Sequence, residues 1–319
     1  MSEMRAARYD RYGPPEVLYE GTLPKPVAGE REVLVRVHAT SVNGGELSGR
    51  AGKLKLVTGR KFPKGTGVDI AGEIAEVGSS VRHLAVGDRV WGAMPHLRFG
   101  SAAEYVAVRP RQLSLAPDGI DLVRAAALPG VGTTAITALR DKIGLRSGER
   151  LLVRGAAGGV GSVAVQLGHA LGAHVTALAR ANALDLVREL GADEAHDYRT
   201  TGPADLGPFD AVLDTVGTEL RAYRGLLSPG GRMVGIAFDA DRPLSSVGSV
   251  LLSTVHGSRR VRSFTGNPLH QLFADLAAYV EKGAIRPVID TVHPLSGVGE
   301  AHRAMEAGGV RGKHVIQVV

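Results

Sequence analysis

The stretch LLVRGAAGGVGSVAVQLGHALGAHVTALAR, Leu151 to Arg180, sets an apolar run, a glycine-rich turn, a helix-length block of small and aliphatic residues and a second apolar run in that order. Leu151 to Gly155 has the length of a buried strand, Gly159 to Leu171 has helical spacing, and His174 to Leu178 supplies the next strand. A strand, a helix and a strand at this spacing make a βαβ unit, which requires a parallel sheet.

The turn GAAGGVG, Gly155 to Gly161, concentrates small residues where such a unit turns from strand to helix. One small residue permits a tight turn, a second lets the backbone approach a pyrophosphate, and a third lets the helix pack on the strand. Ala156, Gly158 and Gly161 occupy those three places, and Gly155, Ala157, Gly159 and Val160 complete the loop. The helix start then offers its N–H groups to the phosphates, so this turn is expected to bind a dinucleotide.

The end of the second strand reports which one. An adenosine ribose with a free 2′-OH calls for Asp or Glu there, whereas a 2′-phosphate repels carboxylate and favours arginine. The sequence reads TALARAN, with Arg180 in that place and no acid before Asp185, so NADPH is expected over NADH.

Outside this region the chain is organised differently. Glu32 to Asn43, Val68 to Gly78, Asp88 to Met94 and Ala102 to Val108 are short β-rich segments between Gly and Pro turns, the pattern of an antiparallel, barrel-like unit. After Leu151 the alternation of strands and helices continues through FDAVLDT and GRMVGIA, the latter containing Gly235. The tail from about Thr265 gives helix, strand, helix, strand, and periodicity alone leaves open whether it extends the parallel sheet or returns to the first unit. The length of 319 residues points to two domains.

Composition narrows the function classes. With 44% hydrophobic and 22% charged residues the chain is globular. Zero cysteines exclude disulfides, thiolate metal ligands and cysteine nucleophiles. No run approaches a membrane span and the first residues lack the apolar core of a signal peptide, so a cytoplasmic protein with no membrane partner is expected. The net charge of +6 is spread without a basic aromatic-interleaved motif, and nucleic acid is not an expected partner.

An ordered series of segments resembles the medium-chain dehydrogenase/reductase superfamily, in its zinc-independent quinone oxidoreductase (zeta-crystallin-like) branch. It runs over nearly the whole chain: SVNGGELSGRAG (Ser41 to Gly52), GVDIAGEIAEVGSSV (Gly67 to Val81), AVGDRVWG (Ala85 to Gly92), SAAEYVAV (Ser101 to Val108), AAALPGVGTTAITAL (Ala125 to Leu139), GAAGGVG, and AHRAMEAGGVRGKHVIQVV (Ala301 to Val319). The resemblance implies an α/β chain in which a GroES-like β-barrel catalytic domain, residues 1–122 and 264–319, is interrupted by a doubly wound Rossmann domain, residues 123–263. It also implies a homodimer joined along SSVGSVLLSTV, Ser245 to Val255.

Site residues follow from the same resemblance. Asn43 matches the asparagine beside the nicotinamide, Thr134 a threonine contacting the cofactor, Tyr198 the tyrosine near the adenosine 2′-phosphate, and Lys313 a lysine at the far side of the cleft; Gly235 and Lys313 join the cofactor set. Catalytic candidates are Asn43, Ser48 and His96, the last on a loop that the resemblance places facing the cleft. The family commonly has an Asp and then an aromatic after the asparagine, where this chain has Glu46 and Ser48. The missing aromatic removes a possible proton donor or stacking surface. Where zinc-dependent relatives place a metal-binding histidine this chain has Gly67, Val68 and Asp69, so no zinc site carries over. Reduction of an electron-poor acceptor then fits better than alcohol oxidation.

The expected function is an NADPH-dependent hydride transfer to a quinone. The alternative is reduction of activated C=C bonds in an enal, enone or enoyl thioester, for which Lys53, Lys55, Arg60, Lys61 and Lys64 offer a basic rim. A third reading, of another class, is a non-catalytic NADPH-binding or RNA-binding protein.

Overall fold

A computed structural model of the chain describes residues 2–236, 261–264 and 266–319; the segment Ser245 to Val255 named above lies outside the described residues. The chain forms two units. The first contains Met1–Thr133, Asn267–Gly283 and Pro287–Val319; the second contains Thr134–Gly266 and Ala284–Arg286.

The largest sheet of the first unit runs Ile289–Pro294, Lys313–Gln317, Val33–Ser41, Asp69–Val77, Arg89–Ala93, Leu113–Leu115, with Tyr105–Val108 also pairing to Val33–Ser41. Val33, Val35 and Val37 fall on one face by the two-residue strand period and pack with Ile70, Ile74 and Leu113 in one buried cluster. Trp91 sits fully buried and its indole N–H donates to Ser114 Oγ at 2.9 Å, which satisfies the only polar group on the ring. A smaller sheet pairs Glu3–Tyr9 with Tyr19–Pro24 and Lys64–Gly65.

The tail returns to the first unit. Lys313–Gln317 pairs antiparallel with the central strand, Val315 opposite Ser41 and Ile316 opposite Thr40. That register sets Lys313 beside the end of the strand where Val42 and Asn43 follow, and Val42 N–H donates to His314 C=O at 3.0 Å.

Among the described residues the second unit is built on a six-stranded parallel sheet: Glu194–Asp197, His174–Ala179, Arg150–Arg154, Phe209–Asp214, Leu227–Gly235, Val261–Arg262. This doubly wound order brings the ends of the first and second strands to the crevice side used for dinucleotides. Leu151, Leu152 and Val153 are all fully buried, as expected of a parallel strand covered on both faces.

Candidate functional site

In the second unit the glycine turn lies between strand Arg150–Arg154 and helix Gly159–Ala170. Two of its glycines, Gly155 and Gly161, are required for different reasons. Gly155 has φ +71°, and a Cβ there would stand 2.3 Å from Thr215 Oγ1. A Cβ on Gly161 would meet Gly155 O at 2.1 Å, so the helix can approach the turn only without a side chain. Gly158 has an ordinary extended backbone, and its Cβ would touch nothing nearer than Gly155 O at 3.4 Å. Neither conformation nor packing requires glycine at 158. The open space suits a phosphate drawn against the first turn of the helix, whose leading N–H groups have no intrahelical acceptor. Ala156 and Ala157 are buried beneath the turn, Gly159 and Val160 are half-buried, and Gly235 closes its strand in register with Asp214.

Arg180 and Tyr198 meet at the ends of adjacent parallel strands. Tyr198 N–H donates to Ala179 C=O at 3.1 Å, and Arg180 Nε donates to the Tyr198 hydroxyl at 2.9 Å. Tyr198 remains 46% exposed. The pair therefore offers guanidinium and phenol donors to an anion at the strand end where a ribose-binding acid would otherwise stand.

One residue of this unit escaped the sequence reading. Arg154, inside the apolar run LLVRG, is buried and donates to Asp214 Oδ2 at 2.7 Å and to Thr218 C=O at 2.6 Å, with its guanidinium 3.6 Å above the Tyr223 ring. Asp214 Oδ1 accepts from the N–H groups of Val216 and Gly217 at 2.8 and 3.0 Å. This network ties together the ends of two neighbouring strands. The signal was a charged residue inside an otherwise apolar strand.

In the first unit Asn43 stands at the N-cap position of helix Gly44–Arg50, with its side chain turned into a buried polar cluster rather than onto the helix end. Its Nδ2 donates to Asp69 Oδ2 at 2.8 Å, Glu46 Oε1 at 3.0 Å and Ser41 C=O at 3.2 Å; its Oδ1 accepts from Lys313 Nζ at 2.6 Å. Asp69 also accepts from the Ser41 hydroxyl and from Gly130 N–H at 2.7 Å. Glu46 Oε2 accepts from Gly67 N–H at 3.0 Å and Thr66 Oγ1 at 3.2 Å. Burial pushes the Glu46 carboxyl up to about 7, despite the opposing hydrogen bond from Asn43, and the nearby Asp69 charge adds to the rise. Burial lowers the Lys313 ammonium from its ordinary value, while Asp69 and Glu46 pull it back up. Lys313 is therefore no surface group.

Ser48 is half-buried two positions beyond Glu46 on the same helix, a spacing that turns it to another face. His96 is exposed in a turn closed by Arg98 N–H to Pro95 C=O at 2.9 Å. Thr134 is half-buried on helix Pro129–Ile136, which also carries Gly130. Of the basic rim, Lys53, Lys55, Arg60 and Lys61 are exposed, and Lys64 Nζ donates to Thr58 C=O at 2.7 Å. Sequence reading noted Glu46 and Asp69 only as departures from a pattern, and their pairing through Asn43 was not visible in it.

Among the described residues no group of three or more His, Cys, Asp or Glu side chains is arranged to hold a metal, and no helix is long and apolar enough to cross a membrane.

Comparison with known proteins finds two family models, an alcohol dehydrogenase GroES-like domain over residues 29–118 and a zinc-binding dehydrogenase over residues 190–316. The chain is 35% identical to the human mitochondrial NAD(P)H oxidoreductase RTN4IP1, covering 97% of this chain and 88% of that one. It is 36% identical to the 2-methylene-furan-3-one reductase of Solanum lycopersicum, covering 100% and 80%. Among solved structures, the quinone oxidoreductase of Coxiella burnetii superposes with a TM-score of 0.89 at 30% identity, covering 100% of both chains.

Proposed function

The chain belongs to the medium-chain dehydrogenase/reductase superfamily and is an NAD(P)H-dependent oxidoreductase, and from that premise we propose that it uses NADPH to reduce a quinone. The observation that carries the choice of cofactor is the Arg180–Tyr198 pair at 2.9 Å, standing where a 2′-OH-binding carboxylate would be. When bound, the dihydronicotinamide supplies the hydride. The protein's part is to hold and orient. The open space at Gly158 receives the pyrophosphate against the helix start, Arg180 and Tyr198 receive the 2′-phosphate, and Asn43 meets the nicotinamide side. The similarity to the Coxiella quinone oxidoreductase supports a quinone as acceptor, because a quinone takes up hydride with the charge delocalised onto oxygen.

A second reading has its own support. The tomato relative is named as a reductase of a methylene-furanone, an activated C=C bond conjugated to a carbonyl. Reduction of such a bond uses the same cofactor and the same orienting residues. A homodimer and a cytoplasmic location complete the proposal, although the human relative's name places that protein in mitochondria.

Titration with NADPH and NADH by fluorescence, followed by NADPH oxidation with 1,4-benzoquinone and with an enal, tests both readings. Hydroquinone as product supports the first and a saturated carbonyl the second. Tight NADPH binding without turnover on either acceptor overturns both.

A further inference from the structure

Asn43 is more fully engaged than a residue that merely ends a strand. Lys313 can only donate and an ionised carboxylate can only accept, so the chemistry of its neighbours dictates the amide orientation: Oδ1 toward Lys313, Nδ2 toward Asp69 and Glu46. Both Nδ2 hydrogens are then committed, and one lone pair of Oδ1 is used.

We propose that Glu46, Asp69 and Lys313 are positioning residues that lock the Asn43 carboxamide so that it meets a ligand only as an acceptor, through the second lone pair of Oδ1. The group it recognises must then be a donor, such as a ribose hydroxyl or the carboxamide NH₂ of a nicotinamide; the choice of that ligand rests on the function proposed above. Glu46 belongs to the lock as a carboxylate. Asn43 Nδ2 and Gly67 N–H can only donate, and the Thr66 hydroxyl, which donates as well, would have to turn round to accept from a protonated Glu46, leaving a neutral carboxyl as the weaker acceptor for Asn43. The titratable groups that act on Glu46 are Asp69 on the neighbouring strand and Lys313 on the last strand, and Tyr9 on the first strand feels Tyr12, Arg50 and Glu46. Because burial brings the Glu46 carboxyl up to about 7, the lock loosens in the neutral range as pH falls.

The test follows the Asn43 side-chain amide signals by NMR in the full-length protein from pH 5.5 to 8.5, alongside NADPH affinity relative to wild type at each pH. In wild type the amide signals are expected to shift with a midpoint near neutrality. Glu46→Gln should abolish that shift and weaken NADPH at least tenfold at pH 8, because its NH₂ must face either Asn43 Nδ2 or Gly67 N–H. Glu46→Asp should restore the titration. Lys313→Met, which keeps Glu46 intact, should move the amide signals and weaken NADPH similarly, and it serves if Glu46→Gln does not fold. Amide signals indifferent to pH and to these substitutions would overturn the lock. Signals that respond as expected while NADPH affinity stays within twofold would uphold the lock and overturn the assignment of Asn43 to the cofactor.

Discussion

Arg180 and Tyr198 lie eighteen residues apart, yet Nε and the hydroxyl meet at 2.9 Å because parallel pairing sets Ala179 opposite Asp197 and brings both strand ends to the same edge. Two donors presented together favour a dianionic phosphate over a neutral diol, and the neighbouring Asp197 carboxylate accepts from Arg199 N–H at 3.0 Å. Arg180→Asp should therefore weaken NADPH binding by at least tenfold, about 1.4 kcal/mol, with a far smaller effect on NADH. Fluorescence titration with both cofactors measures it. Equal losses for the two would show that the pair does not face the 2′-position.

The turn's glycines separate folding from binding. Gly158→Val should leave the unfolding midpoint within a few degrees of wild type and abolish detectable NADPH binding, since its Cβ meets only one atom at 3.4 Å in the fold. Gly161→Val should instead unfold the second unit, because its Cβ would sit 2.1 Å from a backbone oxygen that cannot move aside. Thermal melts of the two variants decide the matter: a destabilised Gly158→Val would mean that the space is structural.

Arg154 and Asp214 form a buried pair whose remaining hydrogen-bonding capacity is also used, by Thr218, Val216 and Gly217. Removing Asp214 leaves the buried guanidinium with Thr218 and, at 4.0 Å, the exposed Glu219 carboxylate. Asp214→Ala should cost about 3–5 kcal/mol in the stability of the second unit. Chemical denaturation followed by far-UV circular dichroism checks it, and a cost under 1 kcal/mol would mean that water reaches the orphaned guanidinium.

The parallel half of the fold was legible because strands covered on both faces are written as short apolar runs, and the helix between them is bracketed by the glycine turn. The first strand was not. EMRAARY, Glu3–Tyr9, mixes buried alanines with charged residues that point to solvent, and neither its length nor its composition announces a strand. The cluster around Asn43 was legible only in its fragments. Asn43 meets Asp69 across 26 positions and Lys313 across 270, and no local pattern records such pairings. Lys313 is buried because the last strand pairs beside the central one.

Two buried groups oppose one another in the dependence of stability on pH. The His302 imidazole, fully buried with neither ring nitrogen partnered, is pushed by burial and by Arg50 down to about 3 from an ordinary 6.5. Between those values the unfolded chain holds the extra proton, so the stability His302 allows is complete above pH 6.5 and is lost as pH falls, at about 1.4 kcal/mol per unit. Glu46 runs the other way. Its folded value of about 7 lies above the ordinary 4.5, so the folded chain holds the extra proton in that window and stability falls as pH rises through it. From pH 4.5 to 6.5 the two slopes cancel. His302→Leu removes one of them and also two unsatisfied buried nitrogens, at nearly constant volume. The variant should gain on wild type progressively as pH is lowered from 6.5 to 5, by about 2 kcal/mol over that range. Its own stability should then decline from pH 5 to 7 as Glu46 ionises. Urea denaturation midpoints of both proteins at half-unit intervals measure the difference, and a gap between them that stays constant with pH would show that His302 reaches water and titrates normally.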